Sequence, residues 1–199
     1  PVVGPLAAST TASGYLFSNI DPGASCAITE TQPAQYADGI ENPGNGIAIA
    51  SVPAGGSTDN NFGEIVGAVS GLVFNETTSA RISGQTINLT GLDASGSALS
   101  GFTATTASAG GLAAGTLCPS QPALSAGEFY FCDVPLGSSY TISQPSQPAG
   151  TTNGTTSAGS SGGTGSNPTA TSSQIVDVPV SGAALLAPDN NFGEVQIPF

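Results

Sequence analysis

The sequence predicts an all-β fold made of short strands joined by tight turns. Glycine and proline together make up about a fifth of the 199 residues, which disfavours long helices and favours many turns. Several short runs place apolar side chains at every second position, with Thr or Asn between them. This period of two is typical of half-buried antiparallel strands, and no run shows a convincing helical period.

Four runs carry the strand pattern, and glycine-rich turns separate them. In chain order the strand runs are GYLFSNI (14–20), GQTINLTG (84–91), GEFYFCDV (127–134) and SYTIS (139–143). Turns are predicted at DPGAS (21–25), NPGNG (42–46), DASGS (93–97) and LGSS (136–139), since Gly, Pro, Asp and Asn favour turn conformations. The run SAGGLAAGTL (108–117) has too many glycines to hold a stable helix.

The composition argues against several classes of function. Arg81 is the only basic residue, and the net charge is -12, so neither nucleic acid nor an anionic membrane surface is an expected partner. No apolar run reaches about 18 residues, so no membrane insertion is expected. Because His and Lys are absent and no GxSxG elbow occurs, the usual nucleophile–base arrangements cannot form. The acids lie beside Gly and Asn in expected turns, and we therefore predict that the chain is not an enzyme.

A six-residue repeat divides the chain. DNNFGE occurs at 59–64 and again at 189–194, and the similarity extends backwards, with Phe17 on Phe131 and Ile28 on Ile142. The chain is therefore predicted to hold two copies of one unit. Residues 65–194 form a complete copy and residues 1–64 the C-terminal half of another, while 195–199 start the next unit or form a donor strand. Within each hexamer, DNN is expected to form a turn, Phe to anchor in the core, and Glu to lie at the seam between units.

The missing front half of the first copy leaves a sheet edge and an apolar groove that need a strand. Either a longer polypeptide supplies it, or a neighbouring subunit donates one. Val195 and Ile197, which share one face of VQIPF, are the candidate assembly strand. The mass of the purified material would distinguish the two sources, since a value near 19.2 kDa excludes the longer polypeptide.

Three cysteines are too few and too widely spaced for a zinc site. Cys118 and Cys132 are predicted to form a disulfide that closes a loop of about 15 residues and contributes roughly 3 kcal/mol. For Cys26 two interpretations remain open: an unpaired thiol whose partner lies on another chain or segment, or a small buried thiol.

A Gly/Ser/Thr tract covering residues 150–173 interrupts the second copy, and we expect it to be a long exposed loop because it has little apolar area to bury. Asn75, Asn88 and Asn153 begin triplets that match the N-glycosylation pattern and are candidate glycosylation sites. Such triplets also arise by chance in a chain this rich in Thr.

The second copy resembles a known family. The segments GAVSGLVFNE, QTINLTGLDASGSALSG, GEFYFCDVPLGSSYTISQPSQPAG and VPVSGAALLAPDNNFGE are similar to successive strands of the B-type repeats of bacterial serine–aspartate-repeat and collagen-adhesin surface proteins. The resemblance implies tandem Greek-key β-sandwiches of transthyretin-like or Ig-like type, the first one incomplete within this chain. It also implies that such sandwiches serve in series as a stalk or filament on the cell surface.

The chain departs from that family pattern in two ways. Without Lys, the Lys–Asn or Lys–Asp isopeptide bond of many relatives cannot form, and the Cys118–Cys132 disulfide is expected to serve instead. The place of the family's calcium loop reads FNETTSARISGQ and lacks alternating Asp residues, so no cofactor is expected there. Candidate calcium ligands are instead Asp38 with Glu41, or Asp189 with Glu194, although acids in such turns are more often simply solvated.

These observations favour a structural repeat of an extracellular bacterial surface protein. Identical subunits would form a filament, stalk or matrix by joining end to end and by pairing strands. One alternative is an adhesin that binds a host protein or glycan through the insertions at 103–126 or 150–173. Another is an accessory module of a secreted polysaccharide-active enzyme.

Overall fold

A computed structural model describes residues 4–41 and 44–198, and over these residues the protein is all-β. Asn42 and Pro43 of the predicted NPGNG turn, and Phe199 of the predicted assembly strand, lie outside the described residues. Within the described ranges no helix is long and apolar enough to cross a membrane.

The chain divides into two compact units. The first unit takes in the described residues of Pro1–Gln32 and Asp38–Glu64, and the second takes in those of Pro33–Ala37 and Ile65–Phe199. The second unit therefore includes a short segment that lies before the predicted break at residue 64.

Two sheets face each other in the second unit. The strands of this unit are β5 (Gly67–Asn75), β6 (Thr86–Thr90), β7 (Thr103–Thr105), β8 (Glu128–Val134), β9 (Gly137–Gln144), β10 (Thr151–Ser157), β11 (Thr164–Thr169), β12 (Ser172–Val180) and β13 (Leu186–Gln196). One sheet has the strand order β10-β13-β5-β8, and the other has the order β11-β12-β9-β6-β7. The predicted strands at 84–91, 127–134 and 139–143 are thus confirmed as β6, β8 and β9.

The core of this sandwich forms from the alternating apolar residues that the sequence displays. In β8 and β9 the side chains of Phe129, Phe131, Tyr140 and Ile142 are buried. The Tyr140 hydroxyl donates a hydrogen bond to the Pro135 carbonyl at 2.9 Å, so the polar end of this buried ring is satisfied. The remaining members of the core cluster come from β5, β6, β12 and β13: Val69, Val73, Ile87, Leu89, Val134, Ile175, Val178, Val180, Ala187 and Phe192.

Strand β5 is the centre of the four-stranded sheet. It runs parallel to β13, with Val73 beside Phe192, and antiparallel to β8, with Val69 beside Phe131. Because it has a strand on each side and a core face, β5 is rich in small and apolar residues. The segment GAVSGLVFN therefore joins β13 and β8 into one sheet.

The predicted turn at DNN is wrong in the second copy. Asp189, Asn190 and Asn191 lie inside β13, and the register of β13 on β5 shifts between Ala187 and Asn190. Asp189 takes the left-handed conformation (φ 59°), which Asp tolerates better than most residues. The residues that suggested a turn therefore form a β-bulge instead. The turn predicted at LGSS (136–139) is also wrong in part, because Gly137–Ser139 belong to β9.

The long exposed loop predicted at 150–173 is also wrong, because this tract forms β10 and β11. Strand β10 adds to the edge of β13, and β11 adds to the edge of β12. Edge strands are held by backbone hydrogen bonds, so they need little apolar area of their own. Asn167 joins the two strands, since its Nδ2 donates to the Gly154 carbonyl at 2.9 Å and its Oδ1 accepts from Thr156 at 2.8 Å.

Gly165→Val is expected to loosen this connection without unfolding the sandwich. A Cβ at Gly165 would overlap the Thr156 carbonyl oxygen, and overpacking of this kind costs about 1–3 kcal/mol. Hydrogen exchange should show faster opening of β10 and β11 and unchanged protection of β8 and β9. The matched control is Gly110→Ala, whose new methyl group would meet open space. Equal protection of β11 in the variant and the parent chain would contradict the assigned packing.

The predicted disulfide is confirmed. Cys118 and Cys132 are bonded, with their Cα atoms 6.2 Å apart, and the bond ties the 103–126 insertion to the end of β8. Cys118 also belongs to a second small apolar cluster with Ala68, Leu124 and Tyr130.

In the first unit the strands are few and short. β1 (Cys26–Thr29) pairs antiparallel with β3 (Gly46–Ile49). The two-residue strands β2 (Ala37–Asp38) and β4 (Glu64–Ile65) pair with each other, and each includes one residue assigned to the second unit. The strand predicted at 14–20 is wrong, because Tyr15–Ile20 belong to no strand. Its counterpart β8 pairs with β5, and residues 4–41 and 44–64 contain no equivalent of β5.

Candidate functional site

An apolar groove of about 350 Å³ opens on the first unit, and it is the candidate functional site. Below it is called the first-unit groove. Its walls come from the segment before β1, from β1 and β3, and from the loop that follows β3. Its lining residues include Tyr15, Leu16, Phe17, Ile20, Cys26, Ile28, Ile49 and Val52.

Three aromatic rings beside the groove have the geometry of three core rings in the second unit. The ring centroids of Tyr15 and Phe17 are 5.7 Å apart at 64°, and those of Phe129 and Phe131 are 5.8 Å apart at 67°. Tyr15 and Phe62 are 6.4 Å apart at 40°, and their counterparts Phe129 and Phe192 are 6.2 Å apart at 41°. The two copies therefore build the same aromatic cluster.

The backbones of the two copies agree as well. Asn19 (φ 62°) and Asp133 (φ 52°) occupy equivalent positions in the alignment, and both are left-handed. In the two hexamers Asp59 (φ 60°) and Asp189 (φ 59°) agree in the same way. Since positive φ is uncommon outside glycine, these matches indicate one local structure used twice.

The two copies differ in how deeply their aromatic side chains are buried. Phe129 and Phe192 are 0% exposed, whereas Tyr15 and Phe62 are only half-buried and Leu16 is 81% exposed. The same aromatic cluster is thus enclosed in the second unit and open in the first.

The hydrogen bonds of the first Asn in each hexamer show which contact the first unit lacks. Asn190 donates from Nδ2 to the Ala187 carbonyl at 2.9 Å and to the Ser70 carbonyl of β5 at 3.1 Å. Asn60 makes the equivalent local bond to the Ser57 carbonyl at 3.2 Å. Its own carbonyl accepts a hydrogen bond from the Tyr15 hydroxyl. Burial, and then the Glu30 charge, raise the pKa of Tyr15, so the hydroxyl remains a donor at neutral pH.

The glutamate of the second hexamer is a buried acid, although the sequence predicts it at a seam. Glu194 is 0% exposed, its Oε2 lies 3.4 Å from the Thr151 hydroxyl, and Gln144 lies beside it. Burial raises the pKa of Glu194 to about 7, and the Glu76 charge acts in the same direction, while Gln144 and Thr151 oppose the shift. The prediction that the acids lie in solvated turns is therefore wrong for Glu194.

The first unit carries a counterpart of this acid. Glu64 accepts a hydrogen bond from the Gln32 amide. Burial raises the pKa of the nearby Glu30 carboxyl, and the charges of Glu64 and Asp38 act in the same direction. The alignment places Glu30 on Gln144, so a carboxyl pair in the first copy corresponds to a carboxyl–amide pair in the second.

The candidate calcium ligands do not gather into a multi-acid cluster. Among residues 4–41 and 44–198, no group of three His, Cys, Asp or Glu side chains could hold a metal ion. Asp38, Glu41 and Asp189 are exposed, whereas Glu194 is buried. Calcium binding at these positions stays a prediction.

The candidate glycosylation sites have structural contacts. Asn75 is 8% exposed, and its Oδ1 accepts hydrogen bonds from the backbone of Thr77 and Thr78, both at 3.0 Å. Asn88 accepts a hydrogen bond from Thr103 at 3.0 Å. The Nδ2 atom of Asn153, to which a glycan would attach, donates to the Thr169 carbonyl at 2.6 Å. Glycosylation at these residues stays a prediction.

The remaining predicted residues lie in different places. Cys26 is a free, half-buried thiol in the wall of the first-unit groove. Val195 belongs to β13 and pairs with Thr152, and the Ile197 amide donates to the Gly150 carbonyl at 2.9 Å. The candidate assembly strand is therefore largely paired with β10 and with Gly150 within its own sandwich.

Comparison with known proteins identifies no relative. No family model matches the chain, and neither the curated proteins nor the solved structures contain a match.

Proposed function

We propose that the chain is a structural repeat of an extracellular bacterial surface protein. Its units would be Greek-key sandwiches of transthyretin-like type, joined in series and by strand pairing into a filament, stalk or matrix. The observation that carries this proposal is the repeated aromatic cluster, closed in one copy and open in the other. A unit that lacks core strands gains stability by associating with whatever supplies them.

The surface and the disulfide support the same proposal. Charged residues make up only 7% of the chain, so most of a contact between neighbouring subunits would be uncharged. The repulsion between subunits that each carry a net charge of -12 would be screened by salt. The Cys118–Cys132 bond is typical of proteins from oxidising compartments, which include the cell exterior.

Electron microscopy of the native material tests this function. We expect filaments, or sheets of laterally packed filaments, with a regular axial repeat. Monodisperse particles of about the 19.2 kDa monomer mass, at every concentration and salt tested, would contradict the proposal.

A further inference from the structure

The second unit shows what covers the homologue of the first-unit groove. There, β5 supplies two of the covering residues: Val69 pairs with Phe131 of β8, and Val73 pairs with Phe192 of β13. Strand β6 supplies the third, Leu89, which pairs with Ile142 of β9. These three residues from β5 and β6 are 0–2% exposed. Residues 4–41 and 44–64 provide no strand in either position.

The first unit also has backbone available for such strands. In the second unit β9 lies between β12 and β6, whereas its counterpart β1 pairs with β3 alone within the described residues. The segments that would flank a β5 equivalent, Tyr15–Ile20 and Asp59–Phe62, belong to no strand. Two positions for extended chain are therefore open: one beside β1, and one between these two segments.

The position between these two segments requires a glycine. In the second unit Gly71 lies beside Asn190, and a Cβ there would overlap the Asn190 carbonyl oxygen and approach the Phe129 ring at 2.8 Å. The first unit has Asn60 and Tyr15 at the equivalent places, in direct contact. An incoming strand must separate this pair and can do so only where it has no side chain.

We propose that the first-unit groove binds an extended polypeptide whose sequence has the V-x-G-x-V and I-x-L patterns of β5 and β6. The first strand lies parallel to Asp59–Glu64 and antiparallel to Tyr15–Ile20, with its glycine against Asn60. The second lies antiparallel to β1, with its leucine beside Ile28. This inference rests on the proposed function, because it names the contact through which subunits would join.

Residues 4–41 and 44–198 do not supply such a strand. β5 and β6 are buried in their own sandwich, and Val195 pairs with β10. Only Ile197 and Pro198 follow β13 among the described residues, and two residues cannot span either position. The occupant is therefore a segment that the described residues do not supply.

The direct test uses a synthetic peptide with the sequence of residues 65–91, added to the full chain. We expect 1:1 binding and NMR shifts confined to Tyr15–Ile20, Cys26–Thr29 and residues 59–63. Cys26 lies in the groove wall, so its alkylation should slow about tenfold when the peptide exceeds its Kd tenfold.

Three variants separate specific pairing from general adhesion between apolar surfaces. A peptide with Gly71→Val is more apolar but should bind at least about tenfold more weakly, because its side chain meets the Asn60 carbonyl. A peptide with Leu89→Asp should also lose affinity, since it would bury a charge beside Ile28. On the chain, Phe17→Asp places a charge in the groove and should have the same effect.

Three results would overturn the inference: no binding at about 1 mM peptide, equal binding of the Gly71→Val peptide, or a self-associated chain that the peptide does not compete with. The last would place a different surface of a second copy in the groove. Filaments without peptide binding would remove this inference and leave the proposed function standing. Peptide binding by material that forms no assembly would support this inference and contradict the proposed function.

Discussion

Phe192→Ala is expected to destabilise the second unit by about 3–5 kcal/mol, whereas Phe62→Ala should cost the first unit of the isolated chain about 1–2 kcal/mol. The two rings are equivalent in sequence and in their contacts with a neighbouring aromatic ring. They differ in burial, since Phe192 is 0% exposed and Phe62 is half-buried. A smaller loss of buried area and a smaller cavity give Phe62 the smaller cost.

Denaturant unfolding followed by hydrogen exchange in each unit measures both values. The conservative variants Phe192→Leu and Phe62→Leu are the matched controls, and each should lose less than its alanine counterpart. In the assembled material the cost of Phe62→Ala should rise towards that of Phe192→Ala, because the proposed strand would complete its surroundings. Equal costs in the isolated chain would show that the first unit is already closed.

The second large effect is a loss of stability of the second unit as pH rises. The pKa of Glu194 is about 7 in the folded chain, against an ordinary value of 4.5. The folded state therefore binds the proton more tightly than the unfolded state. The contribution from this group is fully present below pH 4.5 and is lost as pH rises through about 7. The contribution of Glu194 to the free energy of unfolding is at most about 3 kcal/mol.

Glu194→Gln should remove this dependence and make the second unit more stable than the parent chain at pH 8. Glu76→Gln keeps an acceptor for the Thr155 amide but removes the negative charge near Glu194. The pH at which Glu194 titrates in the folded chain should therefore be lower in this variant. The measurement is the unfolding free energy of the second unit between pH 4.5 and 8. Stability that rises over this range, or an unchanged slope in Glu194→Gln, would contradict the burial of the Glu194 carboxyl.

Local pattern was enough to predict much of the second unit. The alternation in GEFYFCDV, SYTIS and GQTINLTG predicted β8, β9 and β6, since each of these strands has one face in the core. The spacing of Cys118 and Cys132 predicted their disulfide.

The errors arise where structure depends on distant partners. GYLFSNI has the same alternation as β8 but forms no strand, because strand formation also requires a neighbour such as β5. The tract at 150–173 has few apolar residues yet forms two strands, because the edges of β13 and β12 are open to backbone pairing.

The burial of Glu194 was missed for a related reason. DNNFGE is polar at five of its six positions if glycine is counted with the polar residues, and polar residues predict a turn. In the folded chain the Asp189 bulge lets β13 continue between β5 and β10, which encloses Glu194. The one available signal was the alternation of Phe192 and Glu194 on a strand.

Hydrogen exchange on the isolated chain and on the native assembly is the most direct measurement of whether the first unit is completed by a foreign strand. In the isolated chain, amides of Tyr15–Ile20 and Asn60–Gly63 should exchange far faster than those of Phe129–Val134 and Asn190–Gly193. In the assembly the two sets should reach similar protection. Strong protection of Tyr15–Ile20 in the isolated chain, or no gain on assembly, would contradict an open first unit.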